Sequence, residues 1–121
     1  MKRGLNTRCL HLEETEGKTE HYGTISYPIY QTATYAHPRV GESTGYDYSR
    51  LQNPTREQLE KTVASLEGGI DAFALSSGMA AITLLMEIFE PGDHFVAESD
   101  LYGGSIRLFE NISKKNHYEF T

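Results

Sequence analysis

One stretch in the second half of the chain, Phe73-Ala74-Leu75-Ser76-Ser77-Gly78-Met79-Ala80-Ala81-Ile82, constrains the fold most. A short apolar run stops at Ser76-Ser77-Gly78 and resumes as a helix-forming run, the pattern of a strand, a tight turn and a helix N-terminus. Such a turn presents backbone N–H groups at the positive end of a helix dipole, which suits it to hold a phosphate. Small residues let a ligand approach the backbone closely. An ordinary strand-to-helix turn, with glycine for tightness, has the same sequence. The glycine pattern of a P-loop is missing, because no Gly-Lys-Ser/Thr follows, and so is the Gly-x-Gly-x-x-Gly of dinucleotide sites.

The surrounding pattern extends this reading. Asn53-Pro54-Thr55 is a helix start, with Asn53 or Thr55 as cap and Pro54 suited to the first turn. Leu59, Val63 and Leu66 lie on one apolar face, Glu57 and Lys61 form an i, i+4 pair, and Gly68-Gly69 ends the helix. Ala72 to Leu75 is predicted as a short buried strand. Gly78 to Phe89 is predicted as a helix apolar nearly all round, and therefore covered on most sides. Pro91-Gly92 is a turn and His94 to Glu98 a second strand. A third helix follows Gly103-Gly104, with Ile106, Phe109 and Ile112 or Leu108 facing inward and Asn116 closing it. A third strand begins at Tyr118. Alternation of helix and strand implies an α/β fold with a parallel sheet, in which ligands bind beyond the carboxyl ends of the strands. The loops Ser76-Ser77-Gly78 and Ser99-Asp100-Leu101-Tyr102-Gly103-Gly104 both fall at such ends.

Residues 1–52 have little sustained period and few of the Leu, Ile and Val that build a core. Residues 13–18, Glu13-Glu14-Thr15-Glu16-Gly17-Lys18, are predicted as a solvated turn. Ile25 to Tyr35 is β-prone by residue type, but Pro28 argues against a central strand. This half is predicted as an extended arm that needs something to lie against, and residues 53–121 as part of an α/β domain. A sheet of about three strands is a poor end point for a domain, so the chain is expected to be a piece of something longer.

The 121 residues carry 11 basic and 17 acidic side chains, a formal charge of −6 that disfavours non-specific binding to nucleic acid or anionic membranes. Cys9 is the sole cysteine, which fits a reducing compartment. No apolar run follows the charged first residues and none is long enough to cross a bilayer, so a cytoplasmic protein is expected. On the same ground the sequon Asn111-Ile112-Ser113 is expected to be fortuitous. His11, His21, His37, His94 and His117 have no metal-ligand spacing, and no metal site is predicted. Tyr22, Tyr27, Tyr30 and Tyr35 lack an accompanying basic stripe and are predicted as packing residues of the arm.

Two further clusters carry chemistry. In Gly45-Tyr46-Asp47-Tyr48-Ser49-Arg50, a phenol and a guanidinium fork pair well with phosphate oxygens, although these residues taken alone favour a solvated loop with an incidental arginine. In Asp100-Leu101-Tyr102-Gly103-Gly104, the tyrosine has room to stack on a flat aromatic ligand or simply to cover a strand end.

Taken in order and spacing, Tyr30-Gln31-Thr32-Ala33-Thr34-Tyr35, Tyr48-Ser49-Arg50, Asn53-Pro54-Thr55, Leu66-Glu67-Gly68-Gly69, Ser76-Ser77-Gly78-Met79-Ala80-Ala81 and Asp100-Leu101-Tyr102-Gly103-Gly104 resemble the N-terminal third of the pyridoxal-phosphate (PLP) enzymes of cysteine and methionine metabolism. That group includes cystathionine γ-synthase, the cystathionine lyases, methionine γ-lyase and O-acetylhomoserine sulfhydrylase. The likeness runs from Thr24 to Thr121. It implies the N-terminal arm and the first part of the large domain of a fold type I PLP-dependent transferase, truncated, in a homo-oligomer that is typically a dimer of dimers. It implies that Tyr48 and Arg50 bind the cofactor phosphate of a neighbouring protomer, and that the Gly78 and Met79 amides hold the phosphate of their own. Tyr102 matches the tyrosine that stacks on the pyridine ring and handles protons during substrate exchange, and is the catalytic candidate. Arg107 matches an arginine of some cystathionine lyases and is a candidate substrate contact.

The activity implied is β- or γ-elimination or γ-replacement on cystathionine or an activated homoserine. Gln52 stands where many members have glycine, which bears on the loop rather than on the phosphate donors. Gly104 stands where methionine γ-lyases tend to have cysteine, which ranks that activity lower, and the short spacing from Tyr35 to Tyr48 leans away from the sulfhydrylase branch. The family's Schiff-base lysine, in a Ser-x-Thr-Lys setting, and its ring-nitrogen aspartate are expected beyond Thr121. Lys2, Lys18, Lys61, Lys114 and Lys115 have no such context, so this polypeptide alone is expected to be inactive. Two other readings stand beside this one: a non-catalytic fragment that self-associates through its sheet edges and arm, and a stand-alone phosphate- or nucleotide-binding module.

Overall fold

The computed structural model describes residues 4–11 and 21–121; the predicted turn at residues 13–18 lies outside them. The chain forms two compact units, Met1–Ala74 and Leu75–Thr121, so the change of sequence pattern at Asn53 falls inside the first unit.

In the first unit a short helix, α1 (Leu5–Leu10), packs on a longer one, α2 (Pro54–Glu67). The Arg8 guanidinium donates to the Ser65 carbonyl at 2.5 Å. Of the two caps the sequence offers, Asn53 is the one used: its Oδ1 accepts the Thr55 N–H at 2.9 Å, and Pro54 fills the first helical position. Gly68 ends α2 in the left-handed region, at φ 71°, as its lack of a Cβ permits. The face predicted to point inward is a correction. Leu59 and Val63 are exposed and Leu66 is half-buried, whereas Pro54 and Ala64 are buried. The 3.6-residue period identifies an apolar stripe, but within this unit α1 does not cover it.

The segment predicted as an arm lies against the start of α2. The Tyr30 N–H donates to Thr55 Oγ1 at 2.8 Å, and Asn53 Nδ2 donates to the Tyr30 carbonyl at 3.2 Å. The β-prone run contributes one antiparallel bridge, Thr34 to Tyr48, flanked by Tyr35 N–H to Asp47 O (3.1 Å) and Ser49 N–H to Ala33 O (2.9 Å). His21, Tyr27 and Tyr30 cluster edge to face, and Tyr35 packs on Tyr46. Tyr22 does not pack: it is fully exposed, in a turn at φ 54°.

Ala72 to Leu75 does not form the predicted buried strand. Phe73 is 73% exposed, and the N–H groups of Ala72 and Ala74 go to the carboxylates of Asp71 and Glu60 instead of to a neighbouring strand. A strand needs a partner, and side chains of the same unit have taken its donors.

In the second unit α3 (Gly78–Met86) begins at Ser77, whose hydroxyl accepts the Ala80 N–H at 3.1 Å. The helix is shorter than predicted. Its last residues tighten into three-residue turns (Glu87 to Leu84 and Phe89 to Met86) ahead of Pro91. Met86 is buried, but Leu84, Leu85 and Ile88 are exposed, so the expected cover on most sides is absent here. A parallel pair, β1 (His94–Phe95) and β2 (Glu119–Phe120), runs in register His94 to Glu119 and Phe95 to Phe120. The sheet thus has two of the three expected strands, in the expected parallel sense.

Between the strands, α4 (Gly103–Leu108) packs against α3 and widens into a π-helical segment, Phe109–Ser113. His117, at φ 62°, makes the stop one residue after Asn116. Phe109 is the centre of an aromatic core with Phe95 and Phe120, at ring separations of 5.0 and 5.7 Å. Ile106 and Leu108 are half-buried and Ile112 is exposed, which decides between the two inward positions the sequence left open. Within this helical stretch Ser113 is buried, at 2% exposure, while Asn111 is exposed.

Candidate functional site

Within the second unit, the first turns of α3 and α4 meet. Ser77 supplies its own side chain to the third N–H of α3 and its carbonyl to Ala81, which leaves the N–H groups of Gly78 and Met79. Among the described residues neither of these has an acceptor. They lie at the positive end of the helix dipole, with the exposed Gly78 offering no side chain to screen them.

Tyr102 comes to the same place. An added Cβ on Gly104 would lie 2.5 Å from Tyr102 Cε1 and 3.0 Å from Met79 Sδ, so the phenol ring and the thioether flank one glycine. The buried Ser105 hydroxyl lies 3.9 Å from the same sulfur and ties α4 to α3. Tyr102 is itself 70% exposed, so a face of its ring is open to a ligand. The structure therefore brings Gly78, Met79 and Tyr102 together. Arg107, three residues after Gly104 on the same short helix, is exposed, and among the described residues its guanidinium makes no hydrogen bond or ion pair.

Tyr48 and Arg50 form a second group, in the first unit. The Arg50 guanidinium sits over the Tyr48 ring, 4.9 Å from its centroid. Among the described residues neither the phenol nor the guanidinium is committed to a hydrogen bond or ion pair. Arg8, Arg39 and Arg56, by contrast, are all paired. The turn is closed by the Leu51 and Gln52 N–H groups, both donating to the Tyr48 carbonyl at 2.9 Å. Gln52 is not among the residues with positive φ, so this turn does not require a glycine at that position.

Sequence reasoning missed Arg56. Its Nη1 donates to the carbonyls of Ser49 and Arg50 at 3.3 Å each, and its Nη2 donates to Leu51. Its Nε faces Glu60 at 3.5 Å. A signal was available: a cation in the first turn of a helix opposes the dipole, and such a position needs compensating acceptors. Nearby, Tyr46 donates to Glu57, which also pairs with Lys61. Those two hydrogen bonds, Lys61 first, hold the Glu57 carboxyl below its ordinary value, while the Glu57 acceptor and burial push the Tyr46 phenol up. Among the described residues no group of three or more His, Cys, Asp or Glu is placed to hold a metal ion.

Residues 6–121 match the sequence model of the Cys/Met metabolism PLP-dependent enzymes. The chain belongs to that family. It is 54% identical over 93 residues to a cystathionine gamma-synthase/O-acetylhomoserine (thiol)-lyase of Bacillus subtilis, across 77% of this chain and 25% of that protein. It is 45% identical over 115 residues to a cystathionine beta-lyase of Coxiella burnetii, across 95% of this chain and 29% of the relative. The crystal structure of cystathionine gamma synthase from Xanthomonas oryzae pv. oryzae, in complex with aminoacrylate and cysteine, superposes with a TM-score of 0.84 at 34% identity. That likeness covers 100% of this chain and 31% of that one. The chain spans a quarter to a third of the length of these relatives. The family depends on pyridoxal phosphate, and in their chemistry the Gly78 and Met79 amides, without an acceptor among the described residues, fit a phosphate dianion. Among the described residues no helix is long and apolar enough to cross a membrane.

Proposed function

We propose that this chain is the N-terminal arm (1–52) and the first part of the cofactor domain (53–121) of a PLP-dependent enzyme of sulfur amino-acid metabolism. The observation that carries the reading is the pair of open amides at Gly78 and Met79, on a helix turn whose Met79 thioether flanks Gly104 together with the Tyr102 ring. In this reading the two amides bind the cofactor phosphate. Tyr102 covers the pyridine ring and moves a proton at its hydroxyl during substrate exchange. Tyr48 and Arg50 reach the phosphate of a neighbouring protomer, which makes the working enzyme a homo-oligomer. Arg107 contacts the substrate. When bound, pyridoxal phosphate supplies an electron sink for charge developing at the substrate Cα.

The substrate class is cystathionine or an activated homoserine, and the reaction β- or γ-elimination or γ-replacement, in the cytoplasm. The names of the relatives support this range, and the Bacillus subtilis protein carries both a synthase and a thiol-lyase name, so the branch is left at that width. No lysine among the 121 residues lies in a Ser-x-Thr-Lys setting, and the chain by itself is proposed to bind without turning over.

The test is a paired titration of this chain with pyridoxal phosphate and with pyridoxal, followed by tyrosine fluorescence. The phosphate ester is expected to bind at least tenfold tighter, on the order of a charge-assisted contact or two. Equal affinities would count against a phosphate site. A second reading, self-association of the chain, is favoured by the exposed Leu59, Val63, Leu84 and Leu85.

A further inference from the structure

We infer that Arg56 is the positioning residue of the Tyr48–Arg50 turn, setting those two donors for phosphate without touching the ligand itself. The inference rests on the proposed phosphate role of Tyr48 and Arg50 and adds what holds them. Three consecutive carbonyls, those of Ser49, Arg50 and Leu51, converge on one guanidinium. Carbonyls that converge repel one another, and only a planar multi-donor cation satisfies all three at once. The Arg56 fork does so from a fixed base, because its own backbone lies in the first turn of α2, behind the Asn53 cap and Pro54. Asn53 reinforces the same turn by donating from Nδ2 to Ser49 Oγ at 3.0 Å.

The other side of the guanidinium is held as well. Glu60, one turn further along α2, faces Arg56 Nε, and the same Glu60 oxygen accepts the Ala74 N–H at 2.9 Å. Arg56 and Glu60 side chains are only 33% and 19% exposed, so this pair is better shielded than Arg39–Glu42. With the carbonyls drawn toward Arg56, the side chains of Tyr48 and Arg50 are left uncommitted among the described residues, the guanidinium stacked over the phenol. The cation of Arg56 is spent on the backbone, and the cation of Arg50 is kept for an anion.

The experiment is the pyridoxal phosphate and pyridoxal titration on the 121-residue chain and its variants R56M, R56K, E60Q and R50A, with circular dichroism and a thermal midpoint for each. R50A serves as the reference for the underlying reading and is expected to remove the preference for the phosphate ester. R56M is expected to lower that preference about tenfold, the scale of a displaced binding group. R56K, which keeps the charge but not the fork, is expected to lose nearly as much, and guanidinium ion added at millimolar concentration to restore part of the preference in R56M and not in R50A. E60Q, the mildest change, is expected to give a smaller loss in the same direction and guards against a misfolded R56M. Loss of preference in R50A with none in R56M or E60Q overturns the inference and leaves the phosphate reading standing. An equal weakening of pyridoxal and pyridoxal phosphate by R56M makes Arg56 a fold residue only, and also overturns it. No effect of R50A overturns both.

Discussion

Ser77 spends its hydroxyl on Ala80, and in doing so fixes the direction of the two amides that no described residue takes. Ser77→Ala is expected to cost about 1 kcal/mol of stability, the usual price of a lost N-cap, measured by urea unfolding of the second unit's aromatic signal. Gly104 matters for a different reason. Its missing Cβ is the space in which the Tyr102 ring lies, 2.5 Å from where that atom would be. Gly104→Ala is therefore expected to swing the exposed ring away from that position and to weaken pyridoxal phosphate and pyridoxal alike, with tyrosine fluorescence as the reporter; an unchanged affinity would mean the ring has no part in binding. At this scale the sequence was readable wherever chemistry is local. Ser77, Asn53 and Gly68 announce their caps by residue type. Arg56 was readable only in part: a cation in the first turn of a helix signals a need for acceptors, but which three carbonyls supply them depends on a turn whose path the sequence does not specify.

Among the elements, α2 carries the testable pH dependence. The Glu57 carboxyl is held below its ordinary value of 4.5 by its hydrogen bonds with Lys61 and Tyr46. A carboxyl lowered in the folded state contributes stability above that ordinary value and loses it as pH falls through the lowered one. Acid unfolding followed by circular dichroism is expected to show this loss below pH 4.5, and Glu57→Gln to flatten that limb by lowering the neutral-pH midpoint toward the acid one. An identical acid limb in the variant would remove Glu57 from the account. The helices were legible because caps and breakers are encoded within a few residues. The strand over 72–75 was not, since pairing is settled by distant groups, and here Glu60 and Asp71 take the donors. The widening of α4 into a π-helical segment at Phe109 has no local sequence mark; it accompanies the burial of Phe109 among Phe95 and Phe120.

Across the whole molecule, apolar side chains exceed the surface available to cover them. Among the described residues the buried hydrophobic side chains are Ala64, Met86 and Phe109, while Leu59, Val63, Leu84, Leu85 and Ile88 face out. Such surface drives association, so sedimentation of this chain is expected to give a mass that rises with concentration; a monomer at every concentration would show that the faces are tolerated in water. The periodicity of α2 and α3 marked these residues as buried, and periodicity reports that a face is apolar without saying what meets it. The order of motifs was more informative than any one of them, because six short patterns in register identify a family where a single glycine turn does not. The central claim, that the amides after Ser77 grip the cofactor phosphate, is tested most directly by nuclear magnetic resonance of the 15N-labelled chain during addition of pyridoxal phosphate. The account predicts that the Gly78 and Met79 amide signals move first and furthest, and move little with pyridoxal. Signals that stay in place while others shift would contradict it.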